Sequence, residues 1–198
     1  MIMCNQEEID SIKEMINVYK QSLPKLKIII FGPGEDNPDP YAQKCYRKRC
    51  QIKQTLEEDN DVFFFEDLQE EAERSGNFLG NTLVFETIIS RENADCILTI
   101  FALKSSGLQG ELCAFSQHED LSRKMKVFYD STYYNRDCRR HWQIDDALNL
   151  IDGFNGLTEP FTENDIDSCS LLTKAKKIIA KERNASALLP RKKYQEID

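Results

Sequence analysis

Four short apolar runs, separated by segments with helical spacing, limit the folds open to this chain. The runs lie at 27–31, 61–65, 95–101 and 126–129. Apolar residues at helical spacing predict helices at 7–19, 41–56, 80–92, 110–118, 142–151 and 163–182. Apolar strands that alternate with helices are typical of a parallel sheet buried on both faces. We therefore predict an α/β fold with a doubly wound, mostly parallel sheet of four to five strands and helices on both faces, flavodoxin-like or Rossmann-like.

The predicted elements divide the chain into three parts. Residues 1–24 form an N-terminal helix, 25–160 form the α/β domain, and 161–198 form a C-terminal helix with a basic tail. The last helix could close the domain's own sheet or pack across a dimer through Ile166, Leu171, Leu172, Ala175, Ile178 and Ile179. The helix at 80–92 is expected to turn its apolar residues inward, namely Leu83, Val84, Ile88 and Ile89.

Composition and charge exclude several classes of protein. Hydrophobic residues make up 40% and charged residues 30% of the chain, which is a globular composition. The apolar runs are too short to span a membrane and the acidic N-terminus has no signal pattern, so we expect a cytoplasmic protein without membrane association. A net charge of −8 argues against general nucleic-acid binding, although basic clusters at 44–53, 136–141 and 174–193 could face phosphates locally.

The seven cysteines form an odd set without a CxxC pair. Cys96 and Cys113 lie inside apolar segments, so reduced thiols explain the pattern better than disulfides or a zinc site. A reactive thiol at Cys113 stays open as an alternative. We expect neither a bound metal nor a cofactor.

Three loops should face ligands, because parallel sheets bind them outside the carboxyl ends of their strands. These loops are 32–40, 66–82 and 102–111. In the first, Gly32-Pro33-Gly34 follows a strand directly. Small residues at this point let a ligand approach the backbone, although a simple turn has the same sequence.

Glu111 stands where the third loop enters a helix, after Gly107 and Gly110. The helix dipole favours an ionised carboxylate in a first helical turn. Such a carboxylate could attack an electrophilic carbon, for example the anomeric carbon of a nucleoside. Acidic residues are also common in first turns, and spacing alone leaves both interpretations open. Glu86, in the middle of an apolar-faced helix, is by spacing alone a solvated surface residue.

Several segments together resemble the nucleoside 2-deoxyribosyltransferase-like superfamily, which is related to TIR-type NAD hydrolases. They are IIIFGPG (28–34), VFFFEDL (62–68), LVFETII (83–89), ADCILTIFA (94–102) and GELCAFSQHEDLSRKMKVFYD (110–130). The likeness is greatest to the effector N-glycosidases of bacterial retron antiphage systems, and it covers roughly residues 26–130. The GELxAF segment is its most specific part.

The resemblance implies roles for particular residues. Glu111 takes the place of the family's catalytic glutamate, and Glu86 that of the acid which holds sugar or base. The remaining substrate positions lie in the first and third loops: Gly32, Pro33, Gly34, Asp36, Tyr41, Ser106, Gly107 and Gly110. The resemblance also implies a homo-oligomer, and a partner protein or a retron-type RNA complex.

The function that follows as an expectation is cleavage of the N-glycosidic bond of a nucleoside, a nucleotide or NAD through a glutamate nucleophile. Hydrolysis is favoured over transfer to another base, and such an enzyme could serve as an antiphage defence effector. A TIR-like NAD hydrolase and a non-catalytic nucleotide-sensing module remain as alternatives. A fold of this type hosts many activities, so the assignment depends on the site.

Overall fold

Five strands lie side by side in a computed structural model that describes residues 6–76, 80–102, 106–133 and 142–188. They are β1 (Lys27–Phe31), β2 (Asp61–Phe64), β3 (Cys96–Phe101), β4 (Met125–Asp130) and β5 (Leu157–Phe161). Their order across the sheet is β2-β1-β3-β4-β5, and every neighbouring pair is parallel. The predicted α/β fold with a doubly wound parallel sheet is confirmed.

Helices cover both faces of this sheet. In the described ranges they are α1 (Gln6–Ser22), α2 (Pro40–Leu56), α3 (Phe65–Arg74), α4 (Thr82–Asn93), α5 (Ser106–Ser116), α6 (Glu119–Lys124), α7 (Trp142–Gly153), α8 (Glu163–Asp167) and α9 (Ser170–Leu188). Helices α2, α8 and α9 lie on one face, and α3 to α7 lie on the other. Alternate residues of β1 serve the two layers, with Ile28 and Ile30 in the first and Ile29 and Phe31 in the second.

Local capping explains where two site-bearing helices begin. The Asp39 side chain accepts hydrogen bonds from the backbone N–H groups of Tyr41 and Ala42, at 3.0 and 3.1 Å, and so starts α2. In α3 the Asp67 carboxylate accepts the N–H of Phe64 at 3.3 Å. The acidic stretch at 66–73, expected to belong to a ligand-facing loop, is therefore helical. Two of its acids, Glu66 and Asp67, lie in the first turn, where the helix dipole favours negative charge.

Some element boundaries differ from the sequence prediction. Helix α5 begins at Ser106 rather than at 110. The single helix expected at 163–182 is two helices, α8 and α9. The Asp165 carboxylate accepts hydrogen bonds from Thr162 at the start of α8 and from the Ser170 hydroxyl at the start of α9, and so fixes the break between them. Strand β5 and helix α6 were not predicted individually.

Three of the four apolar residues of helix α4 that were predicted to face inward are exposed instead. Leu83, Val84 and Ile88 are 40%, 49% and 44% exposed. Phe85 and Ile89 pack on the core instead, and the Glu86 side chain is buried beside them. The prediction was wrong because it counted apolar residues and placed Glu86 outside, whereas the structure turns this acid inward.

The two terminal helices differ in their packing. In α9, Leu171, Ala175, Ile178 and Ile179 join the core formed with β1 and β3, so this helix closes the domain's own sheet. In α1, by contrast, the apolar residues are exposed, with exposed fractions from 37% at Ile9 to 69% at Met15. No helix in the described ranges is long and apolar enough to cross a membrane.

Candidate active site

The candidate site lies at the carboxyl edge of the sheet between β1 and β3. There the chain after β1 passes to α2 on one face, while the chain after β3 passes to α5 on the other. In open parallel sheets this reversal leaves a crevice that binds ligands. The loop at 32–34 and the first turns of α3, α4 and α5 all lie at this edge.

Glu111 is half-buried in the second turn of α5, because that helix begins five residues earlier. The expectation of a first-turn carboxylate held ionised by the helix dipole is therefore wrong. Burial and the negative charge of Glu66 raise the pKa of Glu111 to about 7, against a lowering by Arg49. A Cβ placed on Gly107 would lie 3.9 Å from Oε1 of Glu111, so Gly107 borders the carboxylate.

Glu86 is 4% exposed, near the start of α4, and is not the solvated residue that spacing alone indicated. Burial, the charge of Glu111 and the charge of Glu66 raise the pKa of Glu86 to about 8. The negative charge of Glu111 acts on Glu86, so the two side chains lie in the same region of this edge. The pKa of Glu111 is the lower of the two, so Glu111 ionises first as the pH rises.

Arg49 and Glu66 are residues of this edge that the sequence prediction missed. Arg49, on α2, is 1% exposed and binds both carboxylate oxygens of Glu66, at 2.7 and 2.5 Å. Its guanidinium also donates to the carbonyl oxygens of Ile30, Gly32 and Pro33, at 2.6, 3.3 and 3.3 Å, and lies 4.2 Å from the centre of the Phe64 ring. The buried cation thus ties the end of β1 to the start of α3.

Glycine at position 32 and glycine at position 34 are explained by different features of the structure. A Cβ on Gly32 would lie 3.1 Å from Cδ of Arg49 and 3.4 Å from the Ile100 carbonyl oxygen. The absence of a side chain at 32 therefore makes room for Arg49 rather than for a ligand. A Cβ on Gly34 would meet nothing within 4 Å, so the open space expected above this loop lies at Gly34.

The other predicted substrate residues are more dispersed. Asp36 is exposed in the loop before α2, and Pro33 is buried. Tyr41 is hydrogen-bonded to Asp130 at the end of β4, and burial together with that carboxylate raises the pKa of the Tyr41 hydroxyl. The Ser106 side chain lies outside what the structure describes, as do loop residues 103–105.

Gly110 lines a different space from Glu111. A cavity of about 460 Å³ lies between α5 and α7 and is bordered by Gly110, Gln109, Cys113 and Trp142. A second cavity, of about 550 Å³, continues along α7 past Gln117. Glu86 and Glu111, though both described, line neither of these two cavities.

Two lysines of the basic cluster at 44–53 are paired within the protein. In the cluster at 44–53, Lys44 pairs with Glu163 and Asp167, and Lys48 donates to the Ser168 carbonyl oxygen at 2.8 Å. These cations are engaged within the protein, and residues 136–141 lie outside the described part.

Among the residues that the structure describes, no group of three or more His, Cys, Asp or Glu side chains could hold a metal ion.

No protein-family model matches the chain, and no curated protein matches it closely enough to indicate a relationship. The proposed function therefore depends on the geometry at the edge of the sheet.

Proposed function

We propose that the protein cleaves the N-glycosidic bond of a nucleoside, a nucleotide or NAD, with Glu111 as the nucleophile. The observation that carries this proposal is the pair of glutamates at the switch point of the sheet, Glu111 with a pKa of about 7 and Glu86 with a pKa of about 8. Two carboxyl groups whose environments separate their pKa values are the usual means of dividing nucleophile and acid between them.

The proposed reaction assigns one role to each carboxyl group. Because the pKa of Glu111 is the lower of the two, Glu111 supplies the carboxylate and Glu86 the proton. A Glu111 oxygen forms a bond to C1′ while the bond from C1′ to the base breaks. The electron pair of that bond leaves with the base nitrogen; in a nucleoside or nucleotide the Glu86 proton neutralises the departing base, whereas nicotinamide leaves NAD neutral without it. Water then attacks C1′ as the bond from C1′ to Glu111 breaks, Glu111 leaves as a carboxylate, and the proton of the water passes to the Glu86 carboxylate or to solvent.

The charge arrangement also suits the transition state. Positive charge develops on the sugar ring as the base departs, so a nearby carboxylate stabilises it. Phe31, Phe65 and Phe115 stack or meet edge to face with ring centres 5.5 Å apart, in the layer that supports α5. This apolar support raises the electrostatic effect of each carboxylate above its value in water.

The test is to incubate the protein with nucleosides, nucleotides and NAD, and to measure free bases and nicotinamide by mass spectrometry. Glu111→Gln should reduce release at least about a thousandfold, because it removes the nucleophile. Glu92→Gln, on the exposed end of the same helix as Glu86, is the matched control and should leave the rate unchanged. Near wild-type cleavage by Glu111→Gln would falsify the proposal.

The products also separate the alternatives. Release of nicotinamide alone would identify an NAD hydrolase, and formation of a new nucleoside when a second base is added would identify a transferase. Binding of nucleotides without any release of base would indicate a sensing module. Depletion of a nucleotide pool by hydrolysis would fit a role in antiphage defence in the cytoplasm.

A further inference from the structure

Glu66 has an environment that differs from that of the other two glutamates. It is the second residue of α3, directly beyond the end of β2, and its side chain is 52% exposed. Arg49 binds both of its oxygens from the buried side and keeps the carboxylate in one orientation. The rest of its side chain is open to solvent.

We propose that Glu66 is a specificity-determining residue that accepts a hydrogen bond from the 2′ hydroxyl of a ribose. The site would then take ribosides in preference to 2′-deoxyribosides. This inference rests on the proposed glycosidic function and adds the sugar to it.

The hydrogen-bonding capacity of Glu66 supports this role. An ionised carboxylate has about four acceptor positions, and Arg49 occupies one on each oxygen. Because the side chain is half-exposed, an oxygen of Glu66 keeps a position that can take a further donor. The 2′ hydroxyl of a ribose supplies such a donor, whereas a 2′-deoxyribose lacks it.

The charge of the site excludes the alternative of an anion at Glu66. The negative charge of Glu66 acts on both Glu86 and Glu111, so the three carboxylates share one region. Arg49 is the cation found among them, and it is 1% exposed. A phosphate group would be repelled there, whereas neutral hydroxyl donors would be attracted.

The position of Glu66 in the fold agrees with this assignment. β2 is paired with β1, and the Gly32-Pro33-Gly34 loop follows β1 at the same edge. In dinucleotide-binding sheets, an acidic residue at the end of the second strand accepts ribose hydroxyls beside a glycine loop of the first. Here the same placement would hold the sugar while Glu111 approaches C1′.

A purely structural role for Glu66, as the counter-ion of Arg49, is the competing explanation. It predicts that a change at Glu66 lowers stability and affects ribosides and deoxyribosides equally. A sugar-binding role predicts a change in the ratio between them, and this ratio is independent of the amount of folded protein.

The experiment compares cleavage of the four ribonucleoside 5′-monophosphates and their 2′-deoxy counterparts by the wild type, Glu66→Gln and Glu66→Asp. The wild type should favour the riboside at least about tenfold in kcat/KM, the effect of one charge-assisted hydrogen bond. Glu66→Gln should bring the two substrates within about threefold of each other, mainly by losing riboside. Glu66→Asp, which keeps the charge, should retain part of the preference. Glu70→Gln, an exposed change on α3, is the control and should keep the full preference.

A binding measurement separates this inference from the proposed function. Glu111→Gln keeps Glu66 intact, so calorimetry with AMP and dAMP tests sugar recognition even if no base is released. A wild-type preference for deoxyribosides, an unchanged ratio in Glu66→Gln, or equal affinity of Glu111→Gln for AMP and dAMP would each overturn the role of Glu66. Failure of cleavage with intact ribose-selective binding would overturn only the proposed reaction.

Discussion

Arg49 runs beneath Gly32 on its way from α2 to the end of β1, and its guanidinium is fixed there by carbonyl oxygens and by Glu66. A side chain held at so many points cannot move aside cheaply. A side chain added at position 32 would therefore displace Arg49 and, with it, the Glu66 carboxylate. Because the charge of Glu66 raises the pKa of Glu111, the ionisation of Glu111 would change as well.

We expect Gly32→Ala to displace Arg49, because the new Cβ would lie 3.1 Å from its Cδ. Overpacking of this kind costs roughly 1–3 kcal/mol of unfolding free energy. Gly34→Ala is the matched control, since its Cβ would meet nothing within 4 Å. Chemical denaturation of both variants measures the difference. Equal stability of the two would show that Arg49 does not constrain position 32.

At this scale the sequence identified Glu111 through the segment that follows it, but missed Arg49 and Glu66. Arg49 belongs to a basic cluster and Glu66 to an acidic stretch, and each composition is typical of a solvated helix face. The pair forms only when α2 and α3 meet across the end of the sheet. Arg49 is the tenth residue of α2 and Glu66 the second of α3, and neither position gives a local sign of such a partner.

Among the elements, the strands that are apolar throughout were predicted closely, and β5 was not. β1 and β3 are buried along nearly their whole length, so their sequence shows their environment. β5 is an edge strand that is only partly buried and contains Pro160. Proline in a strand is tolerated at an edge, where one side of the strand has no partner. Its sequence, LTEPF, therefore carries little signal of a strand.

Helix α1 is attached to α9 through the Tyr19 hydroxyl, which donates to Asn184 at 2.9 Å, and through Arg183. This buried side chain donates to the carbonyl oxygens of Lys20, Leu23 and Pro24, at 3.1, 3.4 and 3.2 Å. Those carbonyls lie at the carboxyl end of α1 and just beyond it, where a cation also interacts favourably with the helix dipole.

Arg183→Met should therefore loosen α1 without unfolding the sheet. It removes the donors to three carbonyl oxygens, which we expect to cost roughly 1–3 kcal/mol of local stability. Hydrogen exchange should accelerate in α1 and remain slow in β1 and β3. Lys181→Met, an exposed change on the same helix, serves as the control. Unchanged protection of α1 in Arg183→Met would contradict the attachment described here.

At the scale of the whole molecule, the sheet supports a site that lowers the stability of the fold. Glu86 and Glu111 have pKa values of about 8 and about 7 in the folded protein, against 4.5 for the unperturbed side chain. Between pH 4.5 and about pH 8 the folded state therefore binds more protons than the unfolded state. Stability is greatest below about pH 4.5 as far as these two groups are concerned, and it falls as the pH rises through their folded pKa values.

Glu86→Gln should consequently stabilise the protein, and only at high pH. Glutamine has nearly the same shape but does not ionise, so the cost of a buried charge disappears above about pH 8. That cost is on the order of 2–4 kcal/mol, or several degrees in Tm for a chain of this length. Thermal unfolding at about pH 4 and about pH 9 measures it. The Tm of Glu86→Gln should match the wild type at the lower pH, below the unperturbed pKa of 4.5, and exceed it at the higher pH, while Glu92→Gln follows the wild type at both. A constant Tm difference between Glu86→Gln and the wild type would mean that the Glu86 carboxyl group is not held protonated by the fold. If Glu86→Gln has a higher Tm than the wild type and no longer releases base, then the ionisable group at position 86 lowers the stability of the fold and is needed for the reaction.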